Sequence, residues 1–100
     1  MYVAMNRFKI FNGNESEFEK IWRGRDSHLN KVEGFIEFNL LKGSSDGVTT
    51  TYASHSRWQS KDHFKMWTKS EAFRKAHKGA GNRKDLYDGN PIFEGFESVA

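Results

Sequence analysis

Residues 58–67 of this chain, Trp-Gln-Ser-Lys-Asp-His-Phe-Lys-Met-Trp, decide how its second half folds. The β-branched and aromatic residues before Trp58 are typical of a strand that ends there. Ser60 is a residue type that caps helices. Phe64 and Trp67, three positions apart, give the following helix an apolar face. The stretch therefore predicts a strand that leads directly into an amphipathic helix.

The next stretch, residues 70–78, reads Ser-Glu-Ala-Phe-Arg-Lys-Ala-His-Lys, and Ser70 is a second candidate cap. Residues 61–78 are therefore expected to form two short helices. On one straight helix, Trp67 and His77 would lie about 15 Å apart along the axis and about 80° apart around it. A break at residues 68–70 lets both side chains meet one cavity.

The rest of the chain predicts one more helix and four strands. Asn14 is a candidate cap for the first helix. Gly and Ser residues with Asp46 predict a hairpin loop over 43–47. The expected strands are 2–11, 35–42, 48–58 and one that opens after Pro91 over 92–96, and the expected first helix is 15–29. This β-α-β-β-α-β order is typical of an α+β fold with a four-stranded antiparallel sheet and helices on one face.

Length and aromatic content suggest a single domain, residues 1–100, that binds or associates through apolar surface. One hundred residues is an ordinary domain size. Nine Phe, three Trp and three Tyr are more aromatic residues than so small a core needs. The sheet face without helices also carries apolar residues, which a second copy of the chain would cover most simply. A homodimer, a planar ligand or both are expected.

Charge and composition exclude several other classes of protein. The net charge of +3 is spread along the chain, so neither a nucleic-acid-binding tail nor a polybasic membrane anchor is expected. The cations between Arg74 and Lys84 could meet an anionic ligand. With no cysteine, no signal peptide and no membrane-spanning apolar run, a cytoplasmic protein is the expectation.

His77 is the histidine with the best setting for a ligand role. Phe73, one turn earlier, gives it an apolar neighbour, and a glycine-rich loop follows. A haem iron accepts a histidine axial ligand, and its flat macrocycle needs an aromatic or apolar slot. The alternative is that His77 only complements the dipole of its helix. No H-E-x-x-H motif, nucleophile elbow, P-loop or dinucleotide-binding glycine motif is present.

Asn6 and Trp67 each have a functional and a purely structural interpretation. Asn6 lies between Ala4 and Phe8 on one strand face, where a buried amide needs a partner. It is either a satisfied or exposed strand residue, or a donor aimed at a ligand atom where charge develops. Trp67 is either ordinary core or a side chain pressed against a ligand.

Together these residues resemble the IsdG-type haem-degrading monooxygenases of the antibiotic biosynthesis monooxygenase superfamily. The resemblance rests on Asn6-Arg7, Trp58-Gln59-Ser60, Phe64, Trp67 and Ala76-His77-Lys78. It covers most of the chain in order and spacing. The segments 42–50 and 79–90 show no matching motif, so contacts of a lid with the ligand are not carried over.

The resemblance implies a dimeric α+β barrel of two ferredoxin-like protomers, each holding one haem between its sheet and its helices. His77 would be the axial ligand of the haem iron. Asn6 would donate a hydrogen bond beside the iron, and Trp67 would press the macrocycle out of plane. Phe64 and Phe73 would line the haem slot. Haem would be substrate and cofactor at once, O2 and an external electron donor would be consumed, and iron and a linear tetrapyrrole such as biliverdin would be released.

Two alternatives from other functional classes remain open at this point. A cofactor-independent monooxygenase of the same fold, acting on an aromatic or quinol substrate, would not need His77. A non-catalytic haem-binding protein would need His77 but would have no use for Asn6. The sequence does not identify the electron donor, the site of ring cleavage, or whether carbon monoxide or formaldehyde is released.

Overall fold

The computed structural model describes residues 1–25, 29–77 and 83–100. Its strands are β1 (Tyr2–Phe11), β2 (Phe35–Ser45), β3 (Thr49–Trp58) and β4 (Ile92–Glu97). Its helices are α1 (Glu15–Arg23), α2 (Lys61–Thr68) and α3 (Glu71–Ala76), with short 3₁₀ turns at Leu29–Lys31 and Lys84–Leu86. The predicted β-α-β-β-α-β order is confirmed, with the second helical segment divided in two.

The four strands form one sheet in the order β2-β3-β1-β4, and every neighbouring pair is antiparallel. This is the ferredoxin-like arrangement, because each helical crossover skips over one strand position. β1 lies inside the sheet and pairs with β3 along its whole length and with β4 over Tyr2 to Arg7. The α+β fold class is therefore confirmed.

The break between the second and third helices is also confirmed. The Ser60 side chain accepts a hydrogen bond from the His63 backbone N–H at 3.2 Å, which caps α2. The Ser70 side chain accepts one from the Phe73 N–H at 3.1 Å, which caps α3. Because Ser70 starts a new helix, α3 is free to take its own direction.

The first helix and the hairpin differ from the prediction. α1 ends at Arg23, where Gly24 follows, rather than at residue 29; glycine is a poor helix former, which accounts for the early end. Residues 26–28 lie outside the described part of the chain. β2 runs on to Ser45 past a register shift, so the loop is shorter than 43–47.

Side-chain bonds explain the short hairpin and show how α1 begins. The Asp46 carboxylate accepts hydrogen bonds from the N–H groups of Val48 and Thr49, which closes the hairpin tightly. Asn14 precedes α1 as predicted, but its side chain makes no capping bond. Instead the Gly13 N–H donates to the Glu15 carboxylate at 2.9 Å.

The core lies between the sheet and the helices, in two aromatic clusters. The first cluster contains Tyr2, Ala4, Leu29, Trp58 and Trp67. The second contains Phe8, Ile10, Phe18, Tyr52 and Leu86. Alternate residues of β1 supply both clusters, as the period of a strand requires.

The opposite face of the sheet carries apolar side chains that stay partly exposed. Leu41 is 43% exposed, Ile92 62% and Phe96 48%. Their register partners on β1 and β3 include Val3 and Ala53, which are partly exposed as well. Among the described residues, no helix is long and apolar enough to cross a membrane.

Candidate active site

A cavity of about 500 Å³ opens between the sheet and the helices. This volume is within the range of small-molecule sites, roughly 300–1,000 Å³. Its described lining comes from β1, from the C-terminal ends of α1 and α3, and from the segment before β4. The lining residues are Asn6, Phe8, Trp22, Arg25, His77, Lys84, Tyr87, Gly89, Asn90 and Pro91.

His77 follows the last turn of α3 and lines this cavity. Its Nδ1 lies 2.8 Å from the carbonyl oxygen of Phe73. A carbonyl oxygen can only accept, so the proton of the neutral imidazole is on Nδ1 and the lone pair is on Nε2. The Phe73 ring stacks on the imidazole with 4.0 Å between ring centroids, which fixes its plane. His77 is thus oriented as a metal-ligating histidine usually is, with one nitrogen held by the backbone.

Asn6 is the second predicted site residue at the same cavity. It is half-buried in β1, paired in register with Ser54 of β3 and Phe93 of β4. Within the described residues its amide has no hydrogen-bond partner, so both the N–H2 and the carbonyl are available to a bound molecule. The sheet on both sides fixes the backbone from which the amide projects.

Trp67 is placed in the core rather than on the cavity wall. It is 9% exposed and packs on Trp58 with 5.2 Å between ring centroids. Its ring also lies 5.8 Å from that of His77 and 4.8 Å from that of Phe73. Among the described residues, no acceptor pairs with its buried indole N–H.

Phe64 and Phe73 also pack against the first core cluster, and neither is among the residues that line the cavity. Phe64 stacks on the half-exposed ring of Phe93 at 5.8 Å. Phe73 contacts Trp67 on one side and His77 on the other. The structure therefore brings Asn6 and His77 to one cavity and arranges the three aromatic residues behind His77.

Sequence reasoning missed the aromatic and cationic side of the cavity. The guanidinium of Arg25 lies 4.0 Å from the centroid of the Trp22 ring, a cation–π contact at the end of α1. Burial lowers the pKa of Arg25. Trp22 and Arg25 stand at helical spacing from Phe18, but spacing alone does not tell a core residue from a cavity wall.

Tyr87 gave no signal in the sequence, because its position depends on a contact with β1. It forms an isolated β-bridge with Ile10, and the next N–H, that of Asp88, donates to the Lys9 carbonyl at 2.8 Å. The Tyr87 ring packs edge-on against Phe8 and Phe18. Burial raises the pKa of Tyr87, so its hydroxyl stays protonated at neutral pH and can donate.

The predicted cationic segment is divided between ion pairs and the cavity. Arg74 pairs with Glu71 at 3.1 Å, and Arg83 pairs with Glu17 at 3.0 Å and Asp85 at 3.2 Å. Lys84 instead lines the cavity. Lys78 lies outside the described residues.

The described wall of the cavity contains two cations, Arg25 and Lys84, and no carboxylate. Nor does any described Asp or Glu form an ion pair with either of them. In the described part of the chain, no group of three or more His, Cys, Asp and Glu could hold a metal ion. The donor set is thus one imidazole beside aromatic walls and a cationic rim, which fits an iron already held in a flat, anionic macrocycle.

Comparison with known proteins identifies the family. The model of the family described as antibiotic biosynthesis monooxygenase matches residues 1–79. The chain belongs to this family. The predicted superfamily, and with it the prediction that the chain is a monooxygenase, is confirmed.

Curated relatives with similar sequences belong to its haem-degrading branch. A heme-degrading monooxygenase of Shouchella clausii is 33% identical over 95 residues, covering 92% of this chain and 85% of the relative. A staphylobilin-producing heme oxygenase of Staphylococcus saprophyticus is 31% identical over 93 residues, covering 92% and 86%. These relatives agree with the resemblance to the IsdG-type enzymes.

Solved structures agree on the fold. The heme-degrader MhuD of Mycobacterium tuberculosis, with two hemes bound in its active site, superposes with a TM-score of 0.73 at 26% identity, covering 100% of this chain and 97% of MhuD. SnoaB, a cofactor-independent oxygenase of Streptomyces nogalater, superposes with a TM-score of 0.69 at 18% identity, covering 99% and 94%. The fold therefore does not decide between haem-dependent and cofactor-independent chemistry.

Proposed function

We propose that this chain is a haem-degrading monooxygenase that binds haem in the cavity between Asn6 and His77. The observation that carries the proposal is the orientation of His77. Its Nε2 has no hydrogen-bond partner in the described part of the chain, its Nδ1 is held by the Phe73 carbonyl, and it lines an aromatic cavity. A cofactor-independent oxygenase needs no histidine as an iron ligand.

The other described residues of the cavity fit the same substrate. Phe8 and Trp22 offer apolar and aromatic surface to a flat ring, while Arg25 and Lys84 offer positive charge to its carboxylates. On the sheet side, Asn6 offers a side-chain amide that has no hydrogen-bond partner among the described residues. Catalytic roles for Asn6, Trp67 and His77, the iron-ligand role of His77, and haem-binding roles for these three with Phe64 and Phe73 are part of this proposal.

In the reaction, haem supplies the iron at which O2 is activated and the meso carbon that is oxidised. His77 would hold the iron through Nε2, while its Nδ1–H donates to the Phe73 carbonyl. The Asn6 amide would donate to a bound oxygen on which negative charge develops, and little rearrangement would be needed because β1 holds its backbone in the sheet. An external donor supplies the electrons, and the products are iron and a linear tetrapyrrole such as biliverdin.

Two further parts of the proposal come from the sequence and the exposed sheet face. A homodimer would cover the apolar side of the sheet. A cytoplasmic site of action stays a prediction, as does the identity of the reductase or small-molecule reductant that supplies the electrons.

The proposal is tested by mixing the apo-protein with haemin, recording the visible spectrum, and then adding ascorbate under air. A shifted Soret band that decays after ascorbate is expected. An unshifted band would favour a cofactor-independent oxygenase, and a shifted band that stays constant would favour a non-catalytic haem-binding protein.

His77→Ala is the matching variant. We expect it to lose the spectrum of the histidine-ligated species and to stop turnover, because no other described residue of the cavity carries an imidazole or thiolate. Wild-type haem affinity with an unchanged visible spectrum would refute the role of His77. Circular dichroism of the variant controls for folding.

A further inference from the structure

We propose that Lys84 and Tyr87, on the segment between α3 and β4, recognise the carboxylate edge of the substrate and select a porphyrin with free carboxylates. This inference rests on the proposed function. It assigns a specificity role to a segment that carries no motif in the sequence. The chemistry is that of an ammonium group and a phenol hydroxyl that face one cavity.

The segment is held in place before any ligand arrives. Leu86 is 1% exposed in the second core cluster, between the two residues in question. The β-bridge from Tyr87 to Ile10 and the Asp88 N–H bond to Lys9 fasten it to β1. Lys84 and Tyr87 are therefore offered to the cavity from a fixed backbone, which lowers the entropic cost of binding.

The described wall of the cavity carries a net positive charge, which a bound anion would neutralise. Lys84 has no carboxylate partner among the described residues, whereas its neighbour Arg83 has two, Glu17 and Asp85. Arg25, another residue of the cavity lining, is half-buried and likewise has no described carboxylate partner. Arg25 is partly desolvated, so a bound carboxylate would supply the counterion that it lacks among the described residues, while Lys84 is exposed and offers its charge at the edge of the cavity.

Tyr87 adds a neutral donor to this charge. Its ring packs edge-on against both Phe8 and Phe18, which fixes its position in the cavity wall. The Tyr87 hydroxyl could donate a hydrogen bond to a carboxylate that Arg25 and Lys84 attract. The carboxylate would then have one more bond than the two cations provide. A hydrogen bond to a charged group contributes about ten-fold or more to affinity.

The experiment compares haemin with its dimethyl ester, which has the same ring and iron but no free carboxylates. Both are titrated into the protein, followed by the Soret band and by quenching of tryptophan fluorescence. The two test variants are Lys84→Gln and Tyr87→Phe, the second of which keeps the packed ring. Arg83→Gln is the matched control. Arg83 is adjacent to Lys84 and has the same charge, but it forms ion pairs with Glu17 and Asp85 instead of lining the cavity.

The wild-type protein is expected to bind haemin about ten-fold or more tightly than the ester. Lys84→Gln and Tyr87→Phe should each reduce this preference by weakening haemin alone, while Arg83→Gln should leave it unchanged. Equal affinity of the wild-type protein for both compounds, or equal effects of Lys84→Gln and Arg83→Gln, would overturn the inference. In either case, a Soret shift that depends on His77 would leave the proposed function standing; no shift with either compound would overturn both.

Discussion

The hydrogen bond from His77 to the Phe73 carbonyl determines which ring nitrogen faces a ligand. The sequence places an aromatic residue one helical turn before His77, and from that spacing a ligand role could be proposed. It could not give the tautomer, because that depends on the irregular backbone at the end of α3, where His77 has φ −101° and ψ 6°. The backbone N–H of His77 donates to the same carbonyl at 3.0 Å, so both groups bind the Phe73 oxygen at the end of α3.

Asn6→Ala is expected to leave haem binding nearly intact, because His77 and the aromatic walls supply most of the affinity. It should slow haem degradation by about 10²-fold or more, the usual effect of deleting one preorganised donor at a developing charge. Single-turnover decay of the Soret band measures this. Ser54→Ala, at the cross-strand partner on the same sheet face, is the control and should degrade haem at the wild-type rate. An unchanged decay rate in Asn6→Ala would mean that Asn6 has no catalytic role and is only a residue of β1.

Trp67→Ala is expected to lower the free energy of unfolding of the apo-protein by about 3–5 kcal/mol, because it removes a ring buried among Trp58, Phe64 and Phe73. Trp67→Phe should cost much less, since it keeps a ring and removes a buried N–H that has no described partner. Thermal unfolding of the apo-protein measures both.

The same two variants test whether Trp67 also presses on the macrocycle, which stays a prediction from the family resemblance. If it does, Trp67→Phe should lower turnover per folded molecule while the melting temperature changes little. A large loss of stability in Trp67→Ala with unchanged turnover per folded molecule would assign Trp67 to the core alone. Trp67 also contacts His77, so its replacement could change the orientation of the ligand indirectly. The position of the Soret band reports such a change.

At the scale of elements, the two serine caps offer a matched pair. Ser70→Ala removes the cap of α3, a helix of only 6 residues that carries His77 at its end. Loss of the cap should cost about 1 kcal/mol and loosen the position of His77. We therefore expect weaker haem binding, measured by Soret titration.

Ser60→Ala is the control, because it removes an equivalent cap from α2 without touching the helix that ends at His77. Its stability loss should be similar, but its haem affinity should stay close to that of the wild-type protein. Equal loss of affinity in both variants would mean that the effect is global destabilisation. It would contradict a specific role for α3 in holding the ligand.

Local chemistry explains which elements could be predicted. Ser60 and Ser70 have side chains that cap a helix whatever lies elsewhere in the chain, and both predictions are confirmed. The end of α1 was predicted too late, because the helical spacing of Phe18 and Trp22 continues to Arg25 although Gly24 ends the helix. Arg25 belongs to the cavity instead.

At the scale of the molecule, the open sheet face predicts association. Leu41 and Ile92 lie on it, opposite the helices, and are 43% and 62% exposed. Apolar surface of this kind usually marks an interface. The protein is expected to be a dimer at micromolar concentration by sedimentation. Leu41→Glu should shift it toward monomer, while Val48→Glu, an equally charged change at the hairpin turn, should not. A wild-type monomer would contradict the dimeric barrel.

The cavity as a whole could be predicted only in part. Asn6 and His77 lie 71 positions apart, and their common cavity follows from the fold and the broken second helical segment. Lys84 was one of the cations predicted to meet an anionic ligand, but neither its selection over Arg83 nor the place of Tyr87 could be predicted, because both depend on a single β-bridge to Ile10 and on burial of Leu86. Such long-range contacts cannot be predicted from a local sequence pattern.

The central claim is that this enzyme opens the haem ring, and iron release tests it most directly. Haem-loaded protein is given ascorbate under air with catalase present, so that free peroxide does not degrade the haem. Released iron is measured with a chelator and the tetrapyrrole by mass spectrometry. We expect close to one iron per haem lost and an oxygen-containing linear tetrapyrrole, with neither from His77→Ala. Intact haem, or equal iron release from His77→Ala, would contradict the account.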